Sequence, residues 1–139
     1  MIRYTKSLEG ITSEMLDGGF FVGWPNPPSP VAHYEILENA YRIVLAIDDS
    51  TNKVIGFINS ISDGVLTTYI PLLEVLPEYQ GKGIGKRLVN TLVEDLNEMY
   101  MIDILCAPDV QEFYTKLGFE TAQGVAMRNY HNQSGINLS

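Results

Sequence analysis

Hydrophobic positions divide the chain into three regimes. Up to residue 40 they come in short groups broken by glycine and proline. Between residues 41 and 76 they run together or alternate. From Ile84 they recur every three or four positions. In the first regime, residues 2–5 form a short candidate edge strand. Thr12 is placed to cap a short helix reaching Gly18, with Ile11, Met15 and Leu16 on one side. Residues 18–30 carry Phe20, Phe21 and Trp24 with prolines at 25, 27, 28 and 30, which predicts irregular backbone packed down by its aromatics. Ser29 then caps a second helix with Pro30 at its first position, and Val31, Tyr34, Ile36, Leu37 and Ala40 are its apolar contacts.

The middle regime has the period of strands. Residues 42–47 and 54–60 are two strands joined by a turn at 48–53, rich in side chains that bond their own backbone. Asp63-Gly64 marks another turn. Residues 65–76 are a third strand interrupted at Pro71, where a missing N–H predicts a bulge or a break in pairing. In the last regime Ile84, Leu88, Val89, Leu92, Val93 and Leu96 form the stripe of a helix over 83–98. Residues 101–106 are the next strand, so strand, helix and strand imply parallel pairing through a crossover. Asp109 and Glu112 have the spacing of a capping box for a last helix with Val110, Phe113, Tyr114 and Leu117, ended by Gly118. Residues 119–121 and 125–128 read as a final hairpin. The whole is one domain over 1–130 with a polar tail at 131–139, and there are no repeats.

Composition narrows the function classes. A chain of 139 residues with a formal charge of −8 lacks the basic face that nucleic acid needs and is poorly suited to anionic membranes. No apolar run reaches the length of a membrane span and the N-terminus has no signal-like stretch, so a cytoplasmic location is expected. The single cysteine, Cys106, excludes an internal disulfide, and no zinc-like cluster occurs, so no metal is expected.

The candidate chemistry lies at the junction of the third strand and the long helix. Glycines at 81, 83 and 85 would aim several backbone N–H groups at one point, at the positive end of a helix, which suits a diphosphate. The spacing is not that of a dinucleotide loop, because position 86 is lysine, and the triphosphate-loop pattern is absent. What remains is Val75-x-Pro-x-x-Gln-Gly-x-Gly-Ile-Gly-x-x-Leu88, followed downstream by Glu112-Phe-Tyr-x-Lys-Leu-Gly-Phe119. Together these resemble the acyl-coenzyme A signature and second motif of the GCN5-related N-acetyltransferase (GNAT) superfamily.

That resemblance implies an α/β (α+β) fold: a mixed central sheet splayed between its fourth and fifth strands and flanked by about four helices. It implies acetyl-CoA as cosubstrate, with Gln80, Gly81, Lys82, Gly83, Ile84, Gly85 and Lys86 around the diphosphate and Arg87 nearby. Backbone groups of Leu73 and Val75 would pair with the pantetheine arm, and an N–H near Leu73 would polarise the acetyl carbonyl. Tyr114 would protonate the departing thiolate. Relatives often carry asparagine where this chain has Ala107, so that contact is missing or supplied by backbone. Alternation points Glu74 opposite to Leu73 and Val75, which makes it a candidate base. His33 competes by its ordinary pKa, and water is the third choice.

The acceptor expected is a primary amine, small and cationic or arylalkyl, attacked in a ternary complex. Phe20, Phe21, Trp24, Tyr34 and Tyr69 either line its pocket or close the core. A non-catalytic acyl-CoA sensor, an interaction domain and a peptide N-acetyltransferase remain as alternatives. Small members of the family often pair through terminal strands, which leaves a homodimer open.

Overall fold

The computed structural model describes residues 1–136. Its sheet has six strands: β1 (Ile2–Thr5), β2 (Arg42–Asp48), β3 (Lys53–Ser62), β4 (Thr67–Tyr69), β5 (Leu73–Val75) and β6 (Met101–Asp103). Three α-helices accompany it, α1 (Pro30–Glu38), α2 (Ile84–Asp95) and α3 (Gln111–Thr115). The first three strands pair antiparallel in sequence order, with a register shift between Ala46 and Ile47.

β3 then serves two partners along one edge. Ile61 and Ser62 pair with Tyr69 and Thr68 of β4, while Gly56, Phe57 and Ile58 pair with Val75, Glu74 and Leu73 of β5. The interruption lies around Pro71, which has no N–H to give to a ladder. β6 follows β4, pairing parallel from Thr67↔Met101 to Tyr69↔Asp103. β5 therefore stays on β3 while β6 leaves with β4, and the two are not paired. The expected splay is present, produced by splitting the third long strand of the sequence in two.

The two faces of the sheet bury different material. α2 lays Ile84, Leu88, Val89 and Leu92 against one face, each worth roughly 1.5–3 kcal/mol when fully buried. Gly56 makes that approach possible. A Cβ there would meet Leu88 Cδ1 at 3.2 Å, the Glu74 carbonyl oxygen at 3.4 Å and Ile84 Cγ2 at 3.5 Å. Phe57, next along β3, turns to the opposite face. There it packs edge-on against Phe20 and His33, with Met15, Leu16, Phe21 and Leu37 also buried in the core.

Several local expectations are corrected. The helix from Thr12 is a single 3₁₀ turn, Ser13–Leu16, and Thr12 makes no side-chain cap bond. Ser29 does cap α1, its side chain accepting from the Ala32 N–H at 3.1 Å. The Asp109–Glu112 capping box does not form: Pro108 opens a 3₁₀ turn, Pro108–Val110, that runs into α3 without a side-chain cap. The last hairpin is also absent, since residues 119–129 pair with no strand. Within the tail expected at 131–139, a 3₁₀ turn spans Tyr130–Asn132, and residues 137–139 lie outside the described residues.

Gly56→Val should leave the fold recognisable but force α2 outward. Denaturant unfolding should show a loss of about 1–3 kcal/mol, the usual cost of overpacking a filled core. An unchanged midpoint would mean that the α2–β3 contact is looser than these distances.

Candidate active site

The gap between β5 and β6 opens into a cavity of about 510 Å³. Its walls include Trp24, Leu73, Glu74, Gln80, Cys106 and Tyr114, brought together from five separate stretches of chain. Antiparallel alternation orders the β5 wall. The Leu72 carbonyl accepts from Asn59 N–H and the Leu76 N–H donates to the Ile55 carbonyl, so even-numbered residues face β3. The N–H and C=O groups of Leu73 and Val75 accordingly face the gap. The Val75 carbonyl is taken by the Gln80 side-chain amide at 2.9 Å, which ties the glycine loop to the end of β5.

The glycine loop leads from a 3₁₀ turn, Pro77–Tyr79, into α2. Gly81 and Gly83 have φ of +77° and +82°, and a Cβ at either would meet nothing within 4 Å. Gly83 is the N-cap of α2 and supplies no side-chain cap, so the first amides of the helix are free for an external acceptor. This is a cradle that fits an anion such as a diphosphate. Gly85 differs, since its missing Cβ is where Phe113 Cζ approaches at 3.6 Å. Ile84 points into the core. Lys82 Nζ sits 5.6 Å from the Tyr79 ring centroid, and Lys86 borders a shallow depression with Glu112 and Phe113. Arg87 lies over the Tyr4 ring at 4.0 Å.

A prop beneath this loop escaped the sequence reading. The Tyr79 hydroxyl donates to Asp48 Oδ2 at 2.6 Å, and Ser50 donates to Asp48 Oδ1 through both its N–H and its hydroxyl. These bonds hold the Asp48 carboxyl down to about 2. The turn after β2 was legible as one whose side chains bond their own backbone, but its contact with Tyr79 joins positions 31 residues apart and has no local signal.

Glu74 does point away from Leu73 and Val75, and its Oε1 has specific partners. It accepts from Phe21 N–H at 2.6 Å and Val22 N–H at 3.2 Å. Burial raises its pKa, and the two backbone donors work against that rise. Phe21 has φ of 65°, costly for a residue with a Cβ, and the carboxylate stabilises that strained turn by gathering its two amides. The Trp24 N–H closes the turn onto the Phe21 carbonyl, and the two rings lie 5.0 Å apart. Phe20 and Phe21 are core residues, whereas Trp24 is partly exposed on the cavity wall. Tyr34 packs partly buried against the core.

Tyr114 is buried and lines the cavity, with Phe113 and Phe119 edge-on to its ring. Burial, and secondarily Cys106, pushes its hydroxyl up to about 12. It therefore holds its proton at any physiological pH. His33 is elsewhere: it is enclosed by Phe20, Phe21 and Phe57, and its Nε2 has no partner among the described residues. Burial lowers its pKa to about 4. The structure does not bring His33 to the cavity, and its reading as the base is withdrawn on that ground.

The fold and this site can now be set beside known proteins. The sequence pattern of the acetyltransferase (GNAT) family matches residues 11–119, and the chain belongs to that family. A candidate acetyltransferase from Deinococcus radiodurans R1, known as a crystal structure, is 43% identical. It superimposes with a TM-score of 0.94 over 99% of this chain and 94% of its own. An uncharacterized N-acetyltransferase, ycf52, of Pyropia yezoensis is 33% identical over 102 residues, 70% of this chain and 58% of the algal protein. The chain thus spans a little over half the length of that relative. An aminoglycoside N-acetyltransferase solved with CoA shares the fold, at 17% identity and a TM-score of 0.65 over 93% of this chain and 94% of its own. The domain is accordingly a GNAT acetyltransferase domain, and its fold is the one that binds CoA in that structure.

The burial of His33 has a pH signature. Unfolded, the imidazole takes a proton near pH 6.5; folded, it does so only near 4. Its neutral burial costs nothing above pH 6.5 and lowers stability progressively as pH falls toward 4, by on the order of 3 kcal/mol in total. His33→Leu should flatten the stability profile between pH 7 and 4 in urea titrations. Equal slopes for the two proteins would show that the imidazole is solvated.

Proposed function

We propose that the protein transfers the acetyl group of acetyl-CoA to a small primary amine, cationic or arylalkyl, in a ternary complex. The observation that carries the reading is one cavity that holds a carboxylate, a protonated tyrosine and the free edge of β5, beside an open anion cradle at the start of α2. In this reading the amides of residues 81–86 hold the diphosphate, with Lys82 and Lys86 as flexible cations at its rim. The backbone groups of Leu73 and Val75 pair with the pantetheine arm, and a Leu73 N–H receives charge as the carbonyl carbon becomes tetrahedral. The amine nitrogen forms the new bond to that carbon. The C–S bond breaks, Tyr114 gives its proton to the departing sulfur, and the acylated nitrogen returns its extra proton to the tyrosinate through water, which leaves a neutral amide and restores the hydroxyl.

Glu74 is the proposed acceptor of the ammonium proton, directly or through water. Oε1 is engaged by the two amides, which leaves Oε2 for this task. Its raised pKa makes it a better base than an exposed carboxylate. The Trp24 face and the negative carboxylate form one wall, and the chain's net charge of −8 favours a cation's approach. A cytoplasmic setting remains part of the proposal.

Two experiments separate the parts. Calorimetry should detect acetyl-CoA binding without added metal. Gly83→Glu should abolish it, because a carboxylate would occupy the cradle and L-residues resist that φ. Equal affinity in a folded variant would remove the cradle assignment.

A mass-shift screen of amines and peptides with acetyl-CoA should first identify the acceptor; coenzyme binding with no acetylated product would favour a sensor. With an acceptor in hand, Tyr114→Phe should bind coenzyme normally and turn over about 10- to 1000-fold more slowly. Glu74→Gln keeps an oxygen for the Phe21 and Val22 amides but accepts no proton. It should lose turnover and the acid limb of the rate profile while keeping the wild-type emission of Trp24, the only tryptophan. Glu74→Ala should lose both. Unchanged transfer rates in Glu74→Gln would assign the proton to solvent and leave Glu74 as a loop anchor.

A further inference from the structure

The Gln80 N–H donates to the Pro77 carbonyl at 3.3 Å, and the Arg87 N–H donates to the Gly83 carbonyl at 3.1 Å. Between these two bonds, the backbone amides of residues 81–86 have no acceptor among the described residues. The glycine loop is therefore a run of free donors. With φ of +77° at Gly81 and +82° at Gly83, its backbone also has the freedom that only glycine brings. Such donors serve an anion best when they converge before it arrives, since ordering a loose loop on binding subtracts from affinity. Their direction has to be set from the two ends of the run.

α2 sets one end. The other is set by two adjacent side chains that reach different parts of the sheet. Gln80 holds the Val75 carbonyl at the end of β5, and Tyr79 donates its hydroxyl to Asp48 Oδ2 at 2.6 Å, at the end of β2. Asp48 is well fixed. It is 8% exposed and lies in two ladders, opposite Ile2 of β1 and Lys53 of β3. Its carbonyl accepts from the Thr51 and Asn52 amides, and its Oδ1 accepts twice from Ser50. Oδ2 takes Tyr79, and a carboxylate acceptor makes that bond stronger than one between neutral groups. The Tyr79 ring packs against the core, and Lys82 Nζ lies 5.6 Å from its centroid, within reach of a cation–π attraction. The phenol thus fixes where the loop starts, and its ring seats the loop's cation.

We propose that Tyr79 is a positioning residue for the coenzyme: through its bond to Asp48 it aims the amides of residues 81–86, and it touches neither the diphosphate nor the reacting atoms. The inference rests on the reading of those amides as the diphosphate cradle. It goes further by assigning part of the coenzyme affinity to a pair of side chains away from the β5–β6 cavity, which neither Tyr79 nor Asp48 lines. Without the Tyr79 hydroxyl the donors are still present but no longer aimed, so coenzyme binding weakens. Tyr114 and the edge of β5 keep their geometry, because their elements do not depend on this bond. Tyr79 and Tyr114 therefore have opposite kinetic signatures, the first in KM for the coenzyme and the second in kcat.

Tyr79→Phe keeps the ring, and with it the core contact and the seat of Lys82, and removes one hydroxyl. Calorimetry should show acetyl-CoA binding about 10-fold weaker than in the wild type, near the lower end of what a hydrogen bond to a charged group contributes. Asp48→Asn removes the acceptor's charge and should weaken binding less. Tyr79→Phe/Asp48→Asn should be no weaker than Tyr79→Phe alone, because both changes act through one bond. With an acceptor in hand, Tyr79→Phe should raise KM for acetyl-CoA by a similar factor and leave kcat at saturating coenzyme unchanged. A residue that only stabilised the fold would lower the melting temperature and leave Kd and KM at their wild-type values. If Gly83→Glu abolishes binding while Tyr79→Phe binds like the wild type, the cradle stands and the tie is overturned. If both variants bind like the wild type, or the wild type does not bind, the cradle reading fails and this inference with it. A defect confined to kcat, or full additivity in the double variant, would also overturn it.

Discussion

One absent hydrogen-bond donor organises this molecule. β3 is long enough to pair with a continuous neighbour, but Pro71 cannot donate to that ladder. The neighbour is therefore two short strands, each held to a different part of β3. Everything functional follows from that division. β6 goes with β4, β5 remains behind, and the backbone of Leu73 and Val75 faces a gap in place of a strand. Normally an unpaired edge in the middle of a sheet is a liability. In the proposed function it is the template for an extended ligand, with the glycine loop at one end and Tyr114 on the opposite wall.

The electrostatics of the site come from burial more than from charge pairs. Tyr114 keeps its proton because the phenolate would be poorly solvated. Glu74 is pulled both ways, toward neutrality by burial and toward ionisation by two amides. The same carboxylate stabilises the left-handed turn at Phe21, which sets Trp24 on the wall. If Glu74 takes the proton as proposed, its ionisation is linked to the geometry of the turn its carboxylate holds. The proposed anion cradle needs little charge: open amides at the start of α2 would supply the field, with Lys82 and Lys86 at the rim.

Besides the outer edges at β1 and β6, the sheet has one edge in its interior, at β5. The interior edge is shaped for a small ligand, because β5 and β6 diverge around it. The outer edge of β6 is unpaired among the described residues. Tyr114 and Cys106 line the cavities on both sides of β6.

The sequence by itself determined the elements whose signals are local. Ser29-Pro30 started α1 where expected, and the stripe from Ile84 to Leu92 produced α2. Pro71 marked the break, and the two motifs at 75–88 and 112–119 identified the family. These are properties of adjacent residues: a cap, a period of 3.6, a missing N–H, a run of glycines. Only the tertiary structure decided the rest. The capping spacing at Asp109 was overridden by Pro108, which began a 3₁₀ turn first. The strand pattern at 125–128 forms no strand, because a local alternation does not decide whether the fold carries a segment alongside an edge. His33 had the pKa of a base and was placed among three phenylalanines. Glu74 met the amides of Phe21 and Val22, and Asp48 met Tyr79, across separations no local pattern encodes. A residue's chemistry can be read from its type, but its proton affinity and its reach are set by what the fold puts against it.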